Sequence, residues 1–282
     1  MSGDYVVRTM SAAERERAIG WAAAEGWNPG LHDATTFATA DASGFLVGVL
    51  DGEPIASISV VRYGATFAFL GLYIVVPGQR GQGYGWRLWQ AGMATLVGRN
   101  VGLDGVVAQQ DNYRKSGFVL AHRNVRYAGR GLASAVCDPQ VVSVSALPYP
   151  ALLQYDRAFF ADDRDAFLQA WVTQRDATAL AFVRDGSIRG YGVLRRCREG
   201  HKIGPLFADS PDIAQTLFTA LAGTVPTQEG VYLDVPETNA DAVALAVRHG
   251  MQPSFETARM YTRGAPPLPL ARTYGITTFE LG

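Results

Sequence analysis

A glycine-rich stretch in the first third of the chain decides the fold: Val75-Val76-Pro77-Gly78-Gln79-Arg80-Gly81-Gln82-Gly83-Tyr84-Gly85. The apolar residues 67–76 that lead into it predict a strand, and the amphipathic residues 86–97 that leave it predict a helix. Strand, glycine turn and helix together present free backbone N–H groups and a helix N-terminus to an anion. Because glycine has no Cβ, the backbone of such a turn can approach a pyrophosphate closely.

The spacing within this stretch separates it from two other phosphate-binding loops. The chain contains no Gly-x-x-x-x-Gly-Lys-Ser/Thr run, which excludes a P-loop. A dinucleotide-binding fold has its glycine loop after the first strand and an acidic residue about 20 positions later. Here several predicted strands come before the loop, and Asp104 lies in the wrong topological place for that role. Arg80, Gly83 and Gly85 instead fit the pattern Arg-x-x-Gly-x-Gly.

A second motif follows the loop. The run Tyr113-Arg114-Lys115-Ser116-Gly117-Phe118 begins 30 positions after Gly83 and comes after a short apolar strand at 106–108. The two motifs in this order resemble those of the GNAT N-acetyltransferase superfamily. That resemblance implies an α/β (α+β) fold with a mixed, mostly antiparallel central sheet flanked by helices, and it implies acetyl-CoA as the co-substrate.

Length and composition predict a globular protein of two domains. The chain has 282 residues, of which 48% are hydrophobic and 18% charged, so it can bury ample core. Its net charge of −1 gives no indication of a nucleic-acid partner. The longest apolar run, residues 67–76, is too short to cross a bilayer, and the N-terminus lacks the pattern of a secretory signal. We therefore expect a cytoplasmic protein with no membrane partner; the sequence does not predict the oligomeric state.

The cysteines and histidines predict neither a disulfide nor a metal site. Cys137 and Cys197 lie far apart without a Cys-x-x-Cys motif, so we expect both to be reduced. The histidines form no His-x-x-x-His pair and are expected to be structural; they are His32, His122, His201 and His249.

The second half of the chain reads as a degenerate copy of the first. Residues 114–118 correspond to 247–251, and residues 126–131 correspond to 259–264, at the same offset. An Asp-Gly turn stands in a matching place in both halves, at Asp51 and Asp185. These correspondences predict a catalytic GNAT domain over residues 1–130, a linker near residues 128–139, and a degenerate GNAT-like domain over residues 141–282. The layout is similar to that of bacterial tandem-GNAT proteins.

The second copy has no glycine loop. At the corresponding place Ser210 and Pro211 predict an N-cap and a first helical residue. Asp209 and Asp212 put carboxylates at that helix start, where they would repel a pyrophosphate. We therefore expect one acetyl-CoA per chain, bound by the first domain.

The resemblance also implies which residues hold the co-substrate. In GNAT folds the strand before the loop splays from the next strand, pantetheine fills the gap, and the loop amides hold the pyrophosphate. An amide near Tyr73 and Ile74 would polarise the thioester carbonyl. The residues expected at this site are Tyr73, Ile74, Val75, Val76, Gln79, Arg80, Gly81, Gln82, Gly83, Tyr84, Gly85 and Asn112.

The resemblance assigns one catalytic role and leaves another open. Tyr113 matches the tyrosine that returns a proton to the departing thiolate. Many relatives carry a glutamate base on the strand before the loop, but residues 66–76 contain no Asp, Glu or His. The base is therefore expected to be ordered water or a carboxylate from elsewhere, with Glu25, Asp33, Asp104, Asp111 and Asp156 as candidates.

The acceptor is expected beyond the thioester, against the segment after the first helix and between the two domains. Its candidate contacts are Trp27, Asn28, Asp33, Gln109, Tyr155 and Asp156. Together the motifs predict transfer of an acetyl group to the primary amine of a small molecule by direct attack, since neither motif contains a cysteine. A non-catalytic acyl-CoA sensor and a protein-lysine acetyltransferase are the alternatives.

Overall fold

The computed structural model describes residues 4–133 and 138–282, so the prediction for Cys137 lies outside the described residues. The first half contains six strands and four helices among those residues. In chain order they are β1 (Tyr5–Thr9), α1 (Ala12–Ala24), α2 (Asp33–Phe37), β2 (Phe45–Leu50), β3 (Glu53–Tyr63), β4 (Phe67–Val75), α3 (Tyr84–Ala94), β5 (Asn100–Val106), α4 (Gln110–Lys115) and β6 (Val119–Arg130).

The second half follows with the same alternation. Its elements are β7 (Val141–Ser143), α5 (Tyr149–Asp156), α6 (Asp165–Thr173), β8 (Ala177–Arg184), β9 (Ser187–Arg196), β10 (His201–Ala208), α7 (Pro211–Ala222), β11 (Gly230–Pro236), α8 (Ala240–Arg248), β12 (Gln252–Tyr261) and β13 (Thr273–Gly275). Single 3₁₀ turns lie at residues 77–79, 107–109, 144–146, 157–159 and 270–272.

Local sequence signals explain where several helices begin. The Ser11 side chain accepts a hydrogen bond from the Glu14 amide while Glu14 reaches back to the Ser11 amide, which is a complete capping box for α1. Ser210 caps α7, with Pro211 as the first helical residue. The Asp-Gly turns predicted between strands connect β2 to β3 and β8 to β9. The start of α7 and the two Asp-Gly turns, which the sequence predicted, are confirmed because each depends only on neighbouring residues.

The strands of the described residues form one mixed, mostly antiparallel sheet, in the order β1-β2-β3-β4-β5-β12-β6-β11-β10-β9-β8-β7, with β13 beside β10. The parallel pairs are β4 with β5 and β10 with β11, one in each half. Helices flank this sheet, as the sequence predicted for each half. The two parallel pairs stand in matching places, as an internal repeat requires.

The two halves exchange their last long strands. β12 pairs with β5, where Thr257 lies opposite Val106, and β6 pairs with β11, where Val125 lies opposite Val235. The domain ranges 1–130 and 141–282 therefore do not coincide with separate sheets. Sequence patterns locate strands but do not specify partners more than a hundred residues away, which is why this exchange was not predicted. The predicted linker is also shorter, because β6 continues to Arg130.

An ion pair anchors each exchanged strand. Arg126 of β6 donates to both carboxylate oxygens of Asp234 in β11, at 2.7 and 2.8 Å. Arg259 of β12 donates to both oxygens of Asp104 in β5, at 2.9 and 2.6 Å. Burial opposes the ionisation of Asp234, but Arg126 together with Lys202 and Arg195 outweighs it, so the pKa of that carboxyl is lowered.

The halves also share a hydrophobic core. Phe37 of α2 stacks near Trp171 of α6, with ring centroids 6.1 Å apart. Phe45 and Phe67 of the first half belong to the same buried cluster as Leu152 of the second. Burial of this shared apolar surface stabilises both halves together.

Candidate active site

The strand before the glycine loop separates from its neighbour at the centre of the first half. β4 and β5 pair only from Phe67 with Asn100 to Leu70 with Leu103, and beyond that point they diverge. The gap is a cavity of about 680 Å³ lined by residues 70–75 of β4 and 103–106 of β5. The splay that the resemblance implied is therefore present.

A bulge in β4 lies at this divergence. Ser57 pairs with Ile74 and Ser59 with Gly71, so two residues of β4, Leu72 and Tyr73, face the single residue between the serines. Leu72 has a positive φ of 47°, which a side chain adopts only where its surroundings hold it there. The bulge therefore lies at the strand position where the thioester carbonyl is expected.

The glycine loop presents unpaired backbone amides to one end of the cavity. Within residues 4–133 and 138–282, the amides of residues 81–86 donate to no backbone or side-chain acceptor, and the first helical bond runs from the Arg87 amide to the Gly83 carbonyl. Gly81 and Gly83 have φ values of 76° and 86°, which suit glycine and turn the chain into α3. This geometry, an unpaired helix N-terminus at a cavity, suits an anion.

Close packing brings the start of α3 against β4. A Cβ on Gly85 would lie 2.8 Å from the Tyr73 hydroxyl oxygen and 2.9 Å from Val75 Cγ2, so only glycine fits without displacement. The Arg80 side chain connects the loop to its neighbours. Its Nε donates to the Val75 carbonyl at 2.8 Å, and its guanidinium forms an ion pair with Glu25.

The residues expected at the co-substrate site fall into two groups. Most line the cavity: Tyr73, Ile74, Val75, Gln79, Arg80, Gly81, Gly83, Gly85 and Asn112. Val76, Gln82 and Tyr84 do not. Gln82 donates to the Gly78 carbonyl and to Gln79, while the Tyr84 ring packs on Tyr5 at 4.8 Å, so these side chains support the loop.

Tyr113 lies on α4 at the other side of the gap, with its ring fixed and its hydroxyl unpaired. The ring stacks on Trp89 at 5.7 Å, and a Cβ on Gly105 would lie 2.2 Å from it. Within the described ranges the hydroxyl makes no hydrogen bond, and Tyr113, like Tyr73, is among the residues that line the cavity. Burial, with a smaller contribution from Tyr73, raises the pKa of Tyr113 to about 12, so the hydroxyl keeps its proton at neutral pH.

The end of the cavity beyond Tyr113 is built from both halves. Two of the expected acceptor contacts, Trp27 and Gln109, line it from the first half, and Gln109 accepts a hydrogen bond from Asn112 at 2.7 Å. The second half contributes side chains that sequence reasoning missed, namely Phe255 and Thr257 of β12 and Phe279 and Glu280 of the C-terminal segment. The cavity therefore has an end between the halves, where the acceptor is expected, and four of the residues that line it were not among the candidates.

The structure places the other expected acceptor residues outside this cavity. Asn28 hydrogen-bonds through its side chain to the backbone of Glu199, and Asp33 is buried in an ion pair with Arg195. Both residues connect the first half to the second instead of facing a ligand. They were candidates because they follow the first helix. Their position in the chain did not indicate that residues 195–199 of the second half pack against this segment.

Tyr155 and Asp156, which were also expected to contact the acceptor, lie outside the cavity as well. Tyr155 donates to the carboxylate of Asp209 at 2.9 Å. Asp156 is 1% exposed and accepts two hydrogen bonds from Arg164, at 2.8 and 2.6 Å. These contacts satisfy each polar group inside the second half, away from the cavity.

Three acidic residues of the described ranges are among those that line the cavity: Glu25, Asp104 and Glu280. Of the base candidates from the sequence, Glu25 is paired with Arg80 and Asp104 with Arg259. Asp111 is exposed on α4, paired with Arg114. Glu280 was not a candidate because no motif surrounds it.

The second half has no equivalent binding loop. Asp209, at the turn before α7, is paired with Arg272, and Ser210 accepts from the Ile213 amide at 3.4 Å. The described residues contain no cluster of three metal-ligating side chains, and none of their helices is long and apolar enough to cross a membrane.

Comparisons with known proteins identify both halves. Residues 8–118 match a family model described as "Acetyltransferase (GNAT) family", and residues 152–275 match one described as "Acetyltransferase (GNAT) domain". Over 262 residues the chain is 31% identical to holothin acyltransferase of Pseudoalteromonas sp. (strain SANK 73390), covering 93% of this chain and 89% of that protein. It is 23% identical to the uncharacterized N-acetyltransferase YitH of Bacillus subtilis (strain 168), covering 83% of each.

Solved structures share the whole architecture. A putative acetyltransferase from Pyrococcus horikoshii superposes with a TM-score of 0.84 at 22% identity, covering 99% of this chain and 96% of that one. A tandem GNAT protein from the clavulanic acid biosynthesis pathway superposes with a TM-score of 0.62 at 14% identity, covering 92% and 98%. At these identities the likeness shows the fold.

Proposed function

The chain belongs to the GNAT acetyltransferase family and is an acyltransferase, and on this premise we propose that it transfers an acetyl group from acetyl-CoA to the primary amine of a small molecule by direct attack. The observation that carries the proposal is the cavity between β4 and β5, which has unpaired loop amides at one end and the Tyr113 hydroxyl inside. We place the reaction in the cytoplasm.

The residues present fit acetyl-CoA as the donor substrate. The unpaired amides of residues 81–86 and the N-terminus of α3 supply donors and a positive dipole for the pyrophosphate. The diverging strands leave a channel lined by apolar side chains of β4, such as Leu72 and Ile74, for the pantetheine arm. The bulge at Leu72 and Tyr73 breaks the pairing with β3 where a backbone amide would polarise the carbonyl.

Tyr113 supplies the proton for the departing thiolate. Its high pKa keeps the hydroxyl protonated before the carbon–sulfur bond breaks, so it is an acid and not a base in the resting site. The stacking on Trp89 restricts the ring to one orientation.

The second half supports a small acceptor. Phe255, Phe279 and Trp27 are aromatic residues that line the acceptor end of the cavity. Residues of β12 and of the C-terminal segment line this end of the cavity, which favours a small acceptor over a protein substrate. The relative named holothin acyltransferase acylates holothin according to its name, and holothin is therefore the first acceptor to test.

The test combines calorimetry with a thiol-release assay. CoA and acetyl-CoA are titrated into the purified chain, and thiol release from acetyl-CoA is then followed with holothin, benzylamine, spermidine and a lysine-containing peptide. We expect one bound CoA per chain and acceptor-dependent release, with the N-acetyl product found by mass spectrometry. A reaction without acceptor gives the hydrolysis background.

Each negative result in these assays would contradict a different part of the proposed function. No binding heat for either CoA form would overturn the assignment of the loop. Binding without release for any acceptor would indicate an acyl-CoA sensor, and a clear preference for the peptide would indicate a protein-lysine acetyltransferase.

A further inference from the structure

A buried serine of β3 forms a hydrogen bond to the bulge in β4. The hydroxyl of Ser57 donates to the Leu72 carbonyl at 2.7 Å. Ser57 is 0% exposed and is not among the residues that line the cavity, whereas Leu72 and Tyr73 are. Because Leu72 has a positive φ of 47°, its backbone needs a contact that holds it in this conformation. The Ser57 hydroxyl supplies such a contact from behind the cavity wall.

The carbonyl that Ser57 holds belongs to the same peptide unit as the Tyr73 amide. The peptide between Leu72 and Tyr73 is trans. A trans peptide is planar, and its C=O and N–H bonds therefore point in opposite directions. When the carbonyl accepts a hydrogen bond from Ser57 on β3, the Tyr73 N–H must point away from β3.

The side of β4 that faces away from β3 is the side of the cavity. In the sheet, β4 lies between β3 and β5. The pairing of β4 with β5 ends where Leu70 lies opposite Leu103, and the cavity opens beyond that point. The Tyr73 N–H is thus directed to the edge of β4 that β5 has left, where the thioester carbonyl is expected.

The same hydrogen bond also strengthens the Tyr73 N–H as a donor. Hydrogen bonds in a chain polarise one another, so a peptide whose carbonyl accepts a bond donates more strongly through its N–H. A donor fixed in advance stabilises the oxygen on which negative charge develops during acyl transfer. The orientation and the donor strength of this amide therefore both depend on Ser57.

A second serine on the same strand provides an internal comparison. Ser59 is also 0% exposed and pairs with Gly71, on the other side of the bulge. Its hydroxyl oxygen makes no hydrogen bond to any residue of the described ranges. The two serines are thus equally buried on one strand and differ in whether the hydroxyl holds the bulge.

From this geometry we propose that Ser57 is a positioning residue for the acetyl transfer, which aims the Tyr73 N–H at the thioester carbonyl of acetyl-CoA. The inference rests on the proposed function. The amine nitrogen forms a bond to the carbonyl carbon, and the Tyr73 N–H donates to the oxygen that becomes negative. The carbon–sulfur electron pair then leaves with sulfur, which takes the Tyr113 hydroxyl proton. The proton lost by nitrogen restores that hydroxyl through solvent, and Ser57 keeps its own proton throughout.

The test compares Ser57→Ala with its matched control Ser59→Ala by infrared spectroscopy of acetyl-CoA labelled with ¹³C at the thioester carbonyl. In the wild-type complex the carbonyl stretch should lie at a lower frequency than in free acetyl-CoA, because a hydrogen bond to the oxygen weakens the C=O bond. Ser57→Ala should return the frequency towards the free value, and Ser59→Ala should keep the wild-type value. A loss of packing alone would not move this frequency.

Kinetics and calorimetry complete the comparison. With whichever acceptor of the panel releases thiol fastest, kcat should fall about tenfold in Ser57→Ala, the size of one lost hydrogen bond, and should stay unchanged in Ser59→Ala. The affinity for CoA, which has no thioester carbonyl, should equal that of the wild type in both variants. If Ser57→Ala fails to bind CoA, Ser57→Thr and Ser57→Val replace it as a pair of equal shape. The threonine should keep the frequency shift and the valine should lose it.

The outcomes distinguish this inference from the proposed function. A wild-type chain that binds no acetyl-CoA, or acetylates none of the acceptors, overturns the proposed function and, with it, the role of Ser57. A wild-type chain that is active while Ser57→Ala keeps both the frequency shift and kcat overturns only the role of Ser57. A lower kcat without a change in the carbonyl frequency, or equal changes in the two alanine variants, would overturn it as well.

Discussion

At the scale of single residues, the contacts of Tyr113 fix its ring and leave its hydroxyl without a hydrogen bond among the described residues. Trp89 holds the face of its ring, and Gly105 leaves room for the ring edge. Its hydroxyl is the part that no described residue engages, and burial raises its pKa to about 12. A packed ring with an unpaired hydroxyl is the arrangement expected of a proton donor that waits for its acceptor.

Removal of that hydroxyl gives a prediction at this scale. Tyr113→Phe should lower kcat by about 10²-fold with no loss of CoA affinity, because the ring contacts remain. Stopped assays of thiol release and calorimetry with CoA measure the two effects. Tyr232→Phe is the control, since Tyr232 lies on β11 away from the cavity. An unchanged kcat would remove Tyr113 from the mechanism.

The pH dependence expected from Tyr113 has a definite sign. A tyrosine with a raised pKa is a protonated acid below that value and loses the proton only above it. In the wild-type chain this group should cause no alkaline fall of kcat until the pH approaches 12. A fall at about pH 10, the ordinary tyrosine value, would show that the hydroxyl is not buried as described.

Among the elements, α3 packs so closely on β4 that a Cβ at one position would displace its neighbours. A Cβ on Gly85 would meet Tyr73 and Val75 at less than 3 Å, whereas a Cβ on Gly78 would meet nothing within 4 Å. The glycine therefore sets how close the unpaired helix amides come to the cavity. This contact connects the packing of one turn to the binding of the co-substrate.

The matched pair Gly85→Ala and Gly78→Ala tests this connection. Gly85→Ala should push α3 from β4 and weaken CoA binding about tenfold, since packing defects of this kind cost roughly 1–3 kcal/mol. Gly78→Ala should bind CoA like the wild type. Equal affinities of the two variants, measured by calorimetry, would contradict the role assigned to the close approach.

The elements also show what the sequence could predict. The loop and its flanking strand and helix follow from local chemistry, because Gly81 and Gly83 turn the chain within a few residues. The exchange of β6 and β12 depends on pairing across more than a hundred residues, which no local pattern encodes. Glu280 was missed for the same reason, since its place in the cavity comes from a distant contact with Gly71.

Across the whole molecule, the strand exchange makes each half depend on the other. β12 completes the sheet beside β5, and β6 completes it beside β11. The two buried Arg–Asp pairs occupy matching places in the repeat, with Arg126 and Arg259 on the exchanged strands. The second half therefore lines the candidate active site through β12 and the C-terminal segment.

This interdependence predicts a single unfolding transition. Because the halves share strands and a core, calorimetry of the full chain should give equal calorimetric and van't Hoff enthalpies. Two independent halves would give a ratio near 2 or two resolved peaks. Asp234→Asn should lower the midpoint of the same single transition by roughly 5–10 °C, since a broken buried pair costs about 3–5 kcal/mol.

The control for Asp234→Asn is Glu256→Gln. Glu256 is the exposed partner of Arg123, which lies on the exchanged strand β6 like Arg126. An exposed ion pair contributes about 0–1 kcal/mol to the free energy of unfolding. The unfolding midpoint of Glu256→Gln should therefore stay close to that of the wild type. If Asp234→Asn instead split the transition into two peaks, the second half would be unfolding by itself. The exchanged strands would then not couple the halves, and the acceptor end built from β12 would be lost before the CoA loop.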